Sequence, residues 1–288
     1  MNILFKKQVI NTNTNYKYKL MTFSTCFYIL KSKFAVKTYL KWIYNLLSIV
    51  KQFNLVIYTN IESIKYLLRL IDITNKNIKV IIKPLRNFYT YKYRNYWIKN
   101  HEKSTLELHK VIDWELNMLW NEKVFLVNET VKKGYFRSLY YGWCDIGYFR
   151  NRVNDLHTDY LCLWPNPVKL LHLNNNDLIH YGCVGNDLLV LTNEIKSHYK
   201  NGLKSPPTER YNEISFAGGF FILSSNMLDY YVKIYESKLE YYFYNGYFIK
   251  DDQTIIQDII VTNPELFYIH KENNKQFDNW FMFQRLIL

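Results

Sequence analysis

Three short stretches carry residue types that could do chemistry at fixed spacing. The first is SLYYGWCDIGYFR (Ser138–Arg150), a hydrophobic run that stops on a carboxylate and a glycine. Open α/β sheets bind ligands at the carboxyl ends of their strands. Asp145 at such an end suits a phosphate-bearing ligand, and Gly147 would let backbone come close to it. A departing diphosphate develops negative charge, which a carboxylate-bound Mg2+ or Mn2+ can offset. Asp and Gly are also ordinary turn residues, so a turn cap is the alternative. The second stretch, ISFAGGFFILSS, interrupts a strand with Gly218 and Gly219, the mark of a bulge or of close approach by a ligand. The third, DDQTIIQDII, opens a helix on Asp251 and Asp252. Such acids serve as helix caps, or as a base toward an acceptor hydroxyl and a holder of ligand hydroxyls.

The elements that must position these residues read as alternating strands and helices. MTFSTCFYIL (Met21–Leu30) predicts a first strand. Val36, Tyr39, Leu40, Ile43, Leu47 and Val50 then fall on one helical face. FNLVIYTN (Phe53–Asn60) predicts a buried strand, IESIKYLLRLI an amphipathic helix, and IKVIIK (Ile78–Lys83) a third strand before Pro84. Strand, helix, strand, helix, strand implies a parallel sheet with right-handed crossovers. Helix is expected from about Ser104 to Asn121 and from Glu122 to Lys133. DYLCLWP and GNDLLVLTN read as strands, and KNGLKSPPTERYNE (Lys200–Glu213) as a loop. A helix closed by Gly246, a short helix stopped by Pro264 and a last strand, LFYIH, complete the chain.

With 288 residues, 49% of them apolar and 18% aromatic, the chain can bury a substantial core, and disorder is excluded as its general state. The net charge of +12 comes from lysines scattered along the chain, with no run of five like charges. A solvated Lys-rich surface accounts for it. Four cysteines show no CxxC pair and no metal-type spacing, which suits reduced, mostly buried thiols in a cytoplasmic protein. Residues 1–19 read as a polar leader with no signal-peptide pattern, and no apolar stretch of 18 residues occurs. Residues 20–288 read as a single domain.

NEKVFLVNETVKKGYFRSLYYGWCDIGYFR resembles the central signature of the HtrL/YibB family: an Asn/Glu-Lys dipeptide, a helix, an aromatic residue and then W-x-D-x-G-x-F-R. Glu122, Lys123, Tyr135-Phe136, Trp143, Asp145, Gly147, Phe149 and Arg150 occupy those places. FAGGFF and DDQ (Asp251–Gln253) resemble its later elements, so the likeness runs from about Met21 to at least Ile260. That family is similar to GT-A glycosyltransferases. The resemblance therefore implies an α/β fold with a GT-A-like mixed, mostly parallel sheet flanked by helices and a Rossmann-like nucleotide-binding half. It implies transfer of a sugar from a nucleoside diphosphate donor, uridine-linked, to an acceptor hydroxyl, with Mn2+ or Mg2+ as cofactor. Asp145 would stand where such enzymes place the last Asp of a DxD motif. Trp143 occupies the position two before it, so the paired carboxylate is missing and the metal is short of protein ligands. His270, in the last strand, is the second ligand such enzymes often recruit.

By the same resemblance, Thr22, Phe23, Ser24 and Thr25 in the first strand and Tyr58-Thr59 after the second would hold the uridine. Arg94, Lys123 and Arg150 are the phosphate-binding candidates, Gly218-Gly219 the donor-sugar contact, and Asp252, with Asp251 as substitute, the catalytic carboxylate. The acceptor, a glycan, protein or lipid, is not specified. Two rivals stand beside this reading. One is a nucleic-acid binder using the aromatic and basic segment Asn87–Lys103, with Tyr91, Tyr93 and Arg94 as its stacking and charged residues. It matches no known module, and no specific nucleic acid is expected as partner. The other is a catalytically inactive transferase-like interaction module.

Overall fold

The computed structural model describes residues 18–173, 178–185, 188–201 and 216–288. Nearly all of the polar leader, and the expected loop beyond Asn201, lie outside them. Among the described residues the strands are β1 (Met21–Phe27), β2 (Asn54–Thr59), β3 (Ile78–Ile82), β4 (Tyr140–Cys144), β5 (Ile179–Cys183), β6 (Phe220–Ser224) and β7 (Phe267–Lys271). The helices are α1 (Val36–Ser48), α2 (Ile61–Leu67), α3 (Arg94–Glu102), α4 (Glu107–Val111), α5 (Trp114–Asn121) and α6 (Lys123–Lys132). They continue as α7 (Pro167–His172), α8 (Leu188–Asn201), α9 (Ser225–Tyr244), α10 (Asp252–Thr262) and α11 (Phe283–Leu286). No helix among the described residues is long and apolar enough to cross a membrane.

The strands form one sheet in the order β3-β2-β1-β4-β6-β5-β7. β3, β2, β1 and β4 are parallel, β6 runs against both β4 and β5, and β7 is parallel to β5. This is the expected mixed, mostly parallel sheet with helices on both faces. β1 shows why its faces differ. Met21, Phe23 and Phe27 enter the core shared with α1, where Phe23 stacks on Trp164 at 5.4 Å. On the other face Ser24 bonds Thr130 of α6 at 2.8 Å. That second face packs under α5, α6, α9 and α10 around Trp97, Trp143 and Tyr235.

Three expectations change. The helix expected over 104–121 is two, α4 and α5, because the chain turns extended at Ile112 and Asp113. DYLCLWP forms no strand; it carries a 3-10 turn at Thr158–Tyr160. GNDLLVLTN enters α8 rather than a strand. A short apolar run does not by itself distinguish strand from helix, and the strand here is IHYGC of β5 instead.

Candidate active site

The antiparallel entry of β6 beside β4 builds the site. Cys144 pairs with Phe220, and one residue further on the Asp145 N–H donates to Gly219 O at 2.8 Å. The end of one strand and the start of its neighbour thus meet at the sheet's carboxyl edge. Gln253 of α10 donates to Phe216 O at 2.9 Å, which ties the start of α10 to the same segment. Lys123, the first residue of α6, reaches in from the other side.

Lys123 is 6% exposed. Its ammonium lies 2.8 Å from Asp252 Oδ2 and 3.2 Å from Asp145 Oδ1, and donates to Gly218 O at 2.9 Å. Burial opposes the charged lysine, but the two carboxylates more than offset it and hold its pKa above the ordinary value. Asp145 Oδ1 also accepts from the Trp143 indole N–H at 2.5 Å. Burial pushes the Asp252 carboxyl up to about 6, against the pull of Lys123. Asp251 sits at the cap position of α10 yet makes no side-chain cap bond, and its buried Oδ1 has no hydrogen-bond partner. The capping role open to these acids in the sequence is therefore not the one Asp251 plays. Lys123, expected to bind phosphate, lines both cavities and is bonded to protein acceptors, bridging Asp145 and Asp252.

The three glycines all line the larger cavity described below, and each also leaves room for a neighbouring side chain. A Cβ on Gly218 would lie 2.5 Å from Asp252 Oδ2, and one on Gly219 would lie 3.0 Å from Asp145 Oδ2. The double glycine therefore admits the two carboxylates. A Cβ on Gly147 would lie 2.7 Å from Trp42 Cε3, so Gly147, which lines both cavities, makes room for an indole. Trp42 in turn supports Arg150, whose guanidinium lies 4.4 Å from the Trp42 ring centre, 5.1 Å from Phe281 and 5.7 Å from Phe34. Arg150 Nε donates to Gly147 O at 2.9 Å.

Two cavities meet here. The larger, about 530 Å³, is lined by Asp145, Arg150, Asp251 and Asp252 with Lys33 and Trp280. The smaller, about 120 Å³, lies where the chain leaves β1, against Tyr28 and Leu30, and shares Asp145, Lys123 and Arg150 with the first. Lys33, Trp42, Trp120 and Trp280 carried no motif signal, because α1, α5 and the carboxy-terminal segment reach the site through packing alone.

Other expected residues lie elsewhere. Thr22, Phe23, Ser24, Thr25, Tyr58 and Thr59 are fully buried and line neither cavity. Their polar groups serve the core: Thr22 bonds Ser138, Tyr58 bonds Thr130, and Thr59 donates to Phe27 O. The residues at the end of β1 that do open on a cavity begin at Cys26. Arg94 stacks 5.4 Å from the Trp114 ring centre, outside both cavities. In the aromatic and basic segment, Tyr93 and Trp97 are buried against Phe243 of α9, and Lys92 pairs with Glu236.

His270 is not brought to Asp145. β7 is three strand intervals from β4, roughly 14 Å at the usual spacing. The His270 ring is hydrogen-bonded to His180 at 3.0 Å, and burial lowers its pKa to about 4. A divalent cation thus has Asp145 as its one expected ligand in place. One oxygen of that carboxylate is already engaged by Trp143 and Lys123, and the nearby Asp252 is paired to the same ammonium. Among the described residues no group of three His, Cys, Asp or Glu side chains could hold a metal ion. The residues present do not fit a protein-held divalent site.

No protein-family model matches the chain, and no curated protein matches it. Among solved structures it is similar to apo mouse xyloside xylosyltransferase 1, with a TM-score of 0.46 and 13% identity over 86% of this chain and 85% of that one. It is also similar to the apo WbbM bifunctional glycosyltransferase, with a TM-score of 0.37 and 12% identity over 90% of this chain. The match spans 40% of WbbM. Both neighbours are glycosyltransferases.

Proposed function

We propose that the chain transfers a sugar from a nucleoside diphosphate donor to an acceptor hydroxyl. One observation carries this reading: two cavities meet at Asp145 on the carboxyl edge of the parallel strands, with Asp252 joined to Asp145 through Lys123. The nucleoside occupies the smaller cavity after β1, the place open α/β sheets give to nucleotides. The HtrL/YibB and GT-A resemblance supports uridine as the base. The donor sugar lies against Asp251 and Asp252, where Asp251 Oδ1 is a buried acceptor awaiting a hydroxyl donor. In the reaction the bond from the anomeric carbon to the diphosphate oxygen breaks, and the acceptor oxygen bonds that carbon. Asp252 takes the acceptor's proton, a task suited to a carboxylate whose pKa is raised toward neutrality.

Thermal unfolding with a panel of nucleoside diphosphate sugars, with and without Mn2+, tests the donor site. At about 100 times its dissociation constant a true donor stabilises the fold by about 2.7 kcal/mol. Asp252→Asn should keep that shift and lose slow donor hydrolysis. If no nucleoside diphosphate sugar shifts the transition under either condition, the reading is wrong. Binding without any turnover would leave an inactive transferase-like module.

A further inference from the structure

The cavity already contains cations with no ion-pair partner among the described residues. Lys123 is used by Asp145 and Asp252, and Lys250 Nζ lies 3.9 Å from Asp251 Oδ2. Lys33 and Arg150 line the same cavity, and neither has a carboxylate within ion-pair distance among the described residues. Arg150 is held by rings rather than by an acid. Trp42, Phe34 and Phe281 surround it, and among the described residues its one hydrogen bond runs from Nε to Gly147 O. Of the acids whose charge reaches it, Asp145 is outside ion-pair distance and is paired with Lys123, and Asp155 is taken by Arg152 at 3.0 Å. The remaining guanidinium N–H groups form a planar fork of the kind that binds phosphate oxygens in pairs. Stacking on aromatic faces holds that fork in place without consuming its donors. Lys33 Nζ lies 5.2 Å from the centre of the Trp120 ring, a residue that lines both cavities.

We infer that these resident cations, Arg150 in its aromatic cage together with Lys33, bind the donor's diphosphate and stabilise its departure without a divalent ion. The inference rests on the donor-site reading above and replaces the metal that the resemblance implies. An intact nucleoside diphosphate sugar carries two negative charges, and Arg150 and Lys33 can each meet one, since neither has a carboxylate within ion-pair distance among the described residues. When the anomeric C–O bond breaks, its electron pair goes to the diphosphate oxygen, where the guanidinium N–H groups meet the added charge. The acceptor oxygen forms the new bond, and its proton passes to Asp252. Atoms and charge balance with no further reactant. The same geometry explains Gly147, since its missing side chain admits the indole that cages Arg150.

The test uses the full chain in excess EDTA or in Mn2+, with inorganic pyrophosphate and uridine diphosphate as calorimetric probes and uridine diphosphate sugars as substrates. Both probes should bind in EDTA, and hydrolysis of an accepted sugar nucleotide should persist there. Arg150→Gln should weaken pyrophosphate binding on the order of ten- to a hundred-fold, the range of a lost charged hydrogen bond. Arg150→Lys, which keeps the charge but loses the planar fork, should also weaken it. Asp145→Asn should still bind pyrophosphate in EDTA. Binding that needs Mn2+, is lost in Asp145→Asn and is indifferent to both Arg150 variants would overturn the inference while leaving glycosyl transfer standing. Arg150-dependent binding in EDTA with no sugar nucleotide accepted would support the anion clamp and sink the transferase reading.

Discussion

Gly218→Ala tests the idea that the double glycine exists to admit carboxylates. The new Cβ would lie 2.5 Å from Asp252 Oδ2 and 2.9 Å from both Cγ and Oδ1. Those atoms cannot swing away freely. Asp252 is 5% exposed and pressed against Lys123 at 2.8 Å, and Lys123 is itself bonded to Gly218 O. Overpacking of this kind costs about 1–3 kcal/mol. Restricting the unfolded chain returns about 0.4–1 kcal/mol. The net loss of up to about 2.6 kcal/mol corresponds to a fall in melting temperature of up to about 10 °C. Gly219→Ala is milder, because its Cβ meets Asp145 Oδ2 at 3.0 Å and the Asp145 side chain, 42% exposed, can move into the cavity. Gly134→Ala is the control: φ is +59° and nothing lies within 4 Å, so it costs about 1–2 kcal/mol through backbone strain alone. Melting temperature and sugar-nucleotide hydrolysis, measured on the same preparations, separate the three. Gly218→Ala should lose hydrolysis and Gly134→Ala should keep it. If Gly218→Ala is as stable and as active as wild type, the packing account of the double glycine fails.

Two further outcomes follow from buried groups. Hydrolysis should fall as pH drops through about 6, where Asp252 takes up a proton, and a rate profile flat through that region would remove Asp252 as base. The same raised pKa, above an ordinary 3.8, has a stability consequence. Its contribution is full below about pH 4 and is lost as pH rises through about 6. Glu122, which burial pushes up to about 7, acts in the same direction, so melting temperature should decline across this window and less steeply in Asp252→Asn. Tyr93→Ala should destabilise the fold by about 3–5 kcal/mol, because it empties a core site and removes the bond to Glu240 at 2.6 Å. Binding of single-stranded nucleic acid should not change in that variant. Selective loss of such binding with an unchanged denaturation midpoint would restore Tyr93 as a stacking residue.

The sequence by itself determined the strands and helices whose periodicity was strong. The runs at Met21, Phe53 and Ile78, the acid at the end of β4 and the acids opening α10 all stood where local pattern put them, whereas the double glycine expected inside a strand forms the turn that precedes β6. These depend on neighbours a few residues away, so they are legible in one dimension. Only the tertiary structure decided what those residues do. β6 runs antiparallel into β4, and that single reversal brings Gly218, Gly219 and Asp145 together across more than 70 residues of chain. Lys123 arrives on a different element and becomes the bridge between Asp145 and Asp252. Thr22 and Ser24 of β1 looked suited to a nucleotide but are spent on Ser138 and Thr130, because hydroxyls on a central strand covered on both faces find their partners inside the fold. Arg150 was visible as a basic residue. Its cage was not, since Trp42, Phe34 and Phe281 converge on it from distant parts of the chain. Side-chain type and local spacing set which groups are present; partner identity is set by long-range packing, and that decides which charges are left free to meet a ligand.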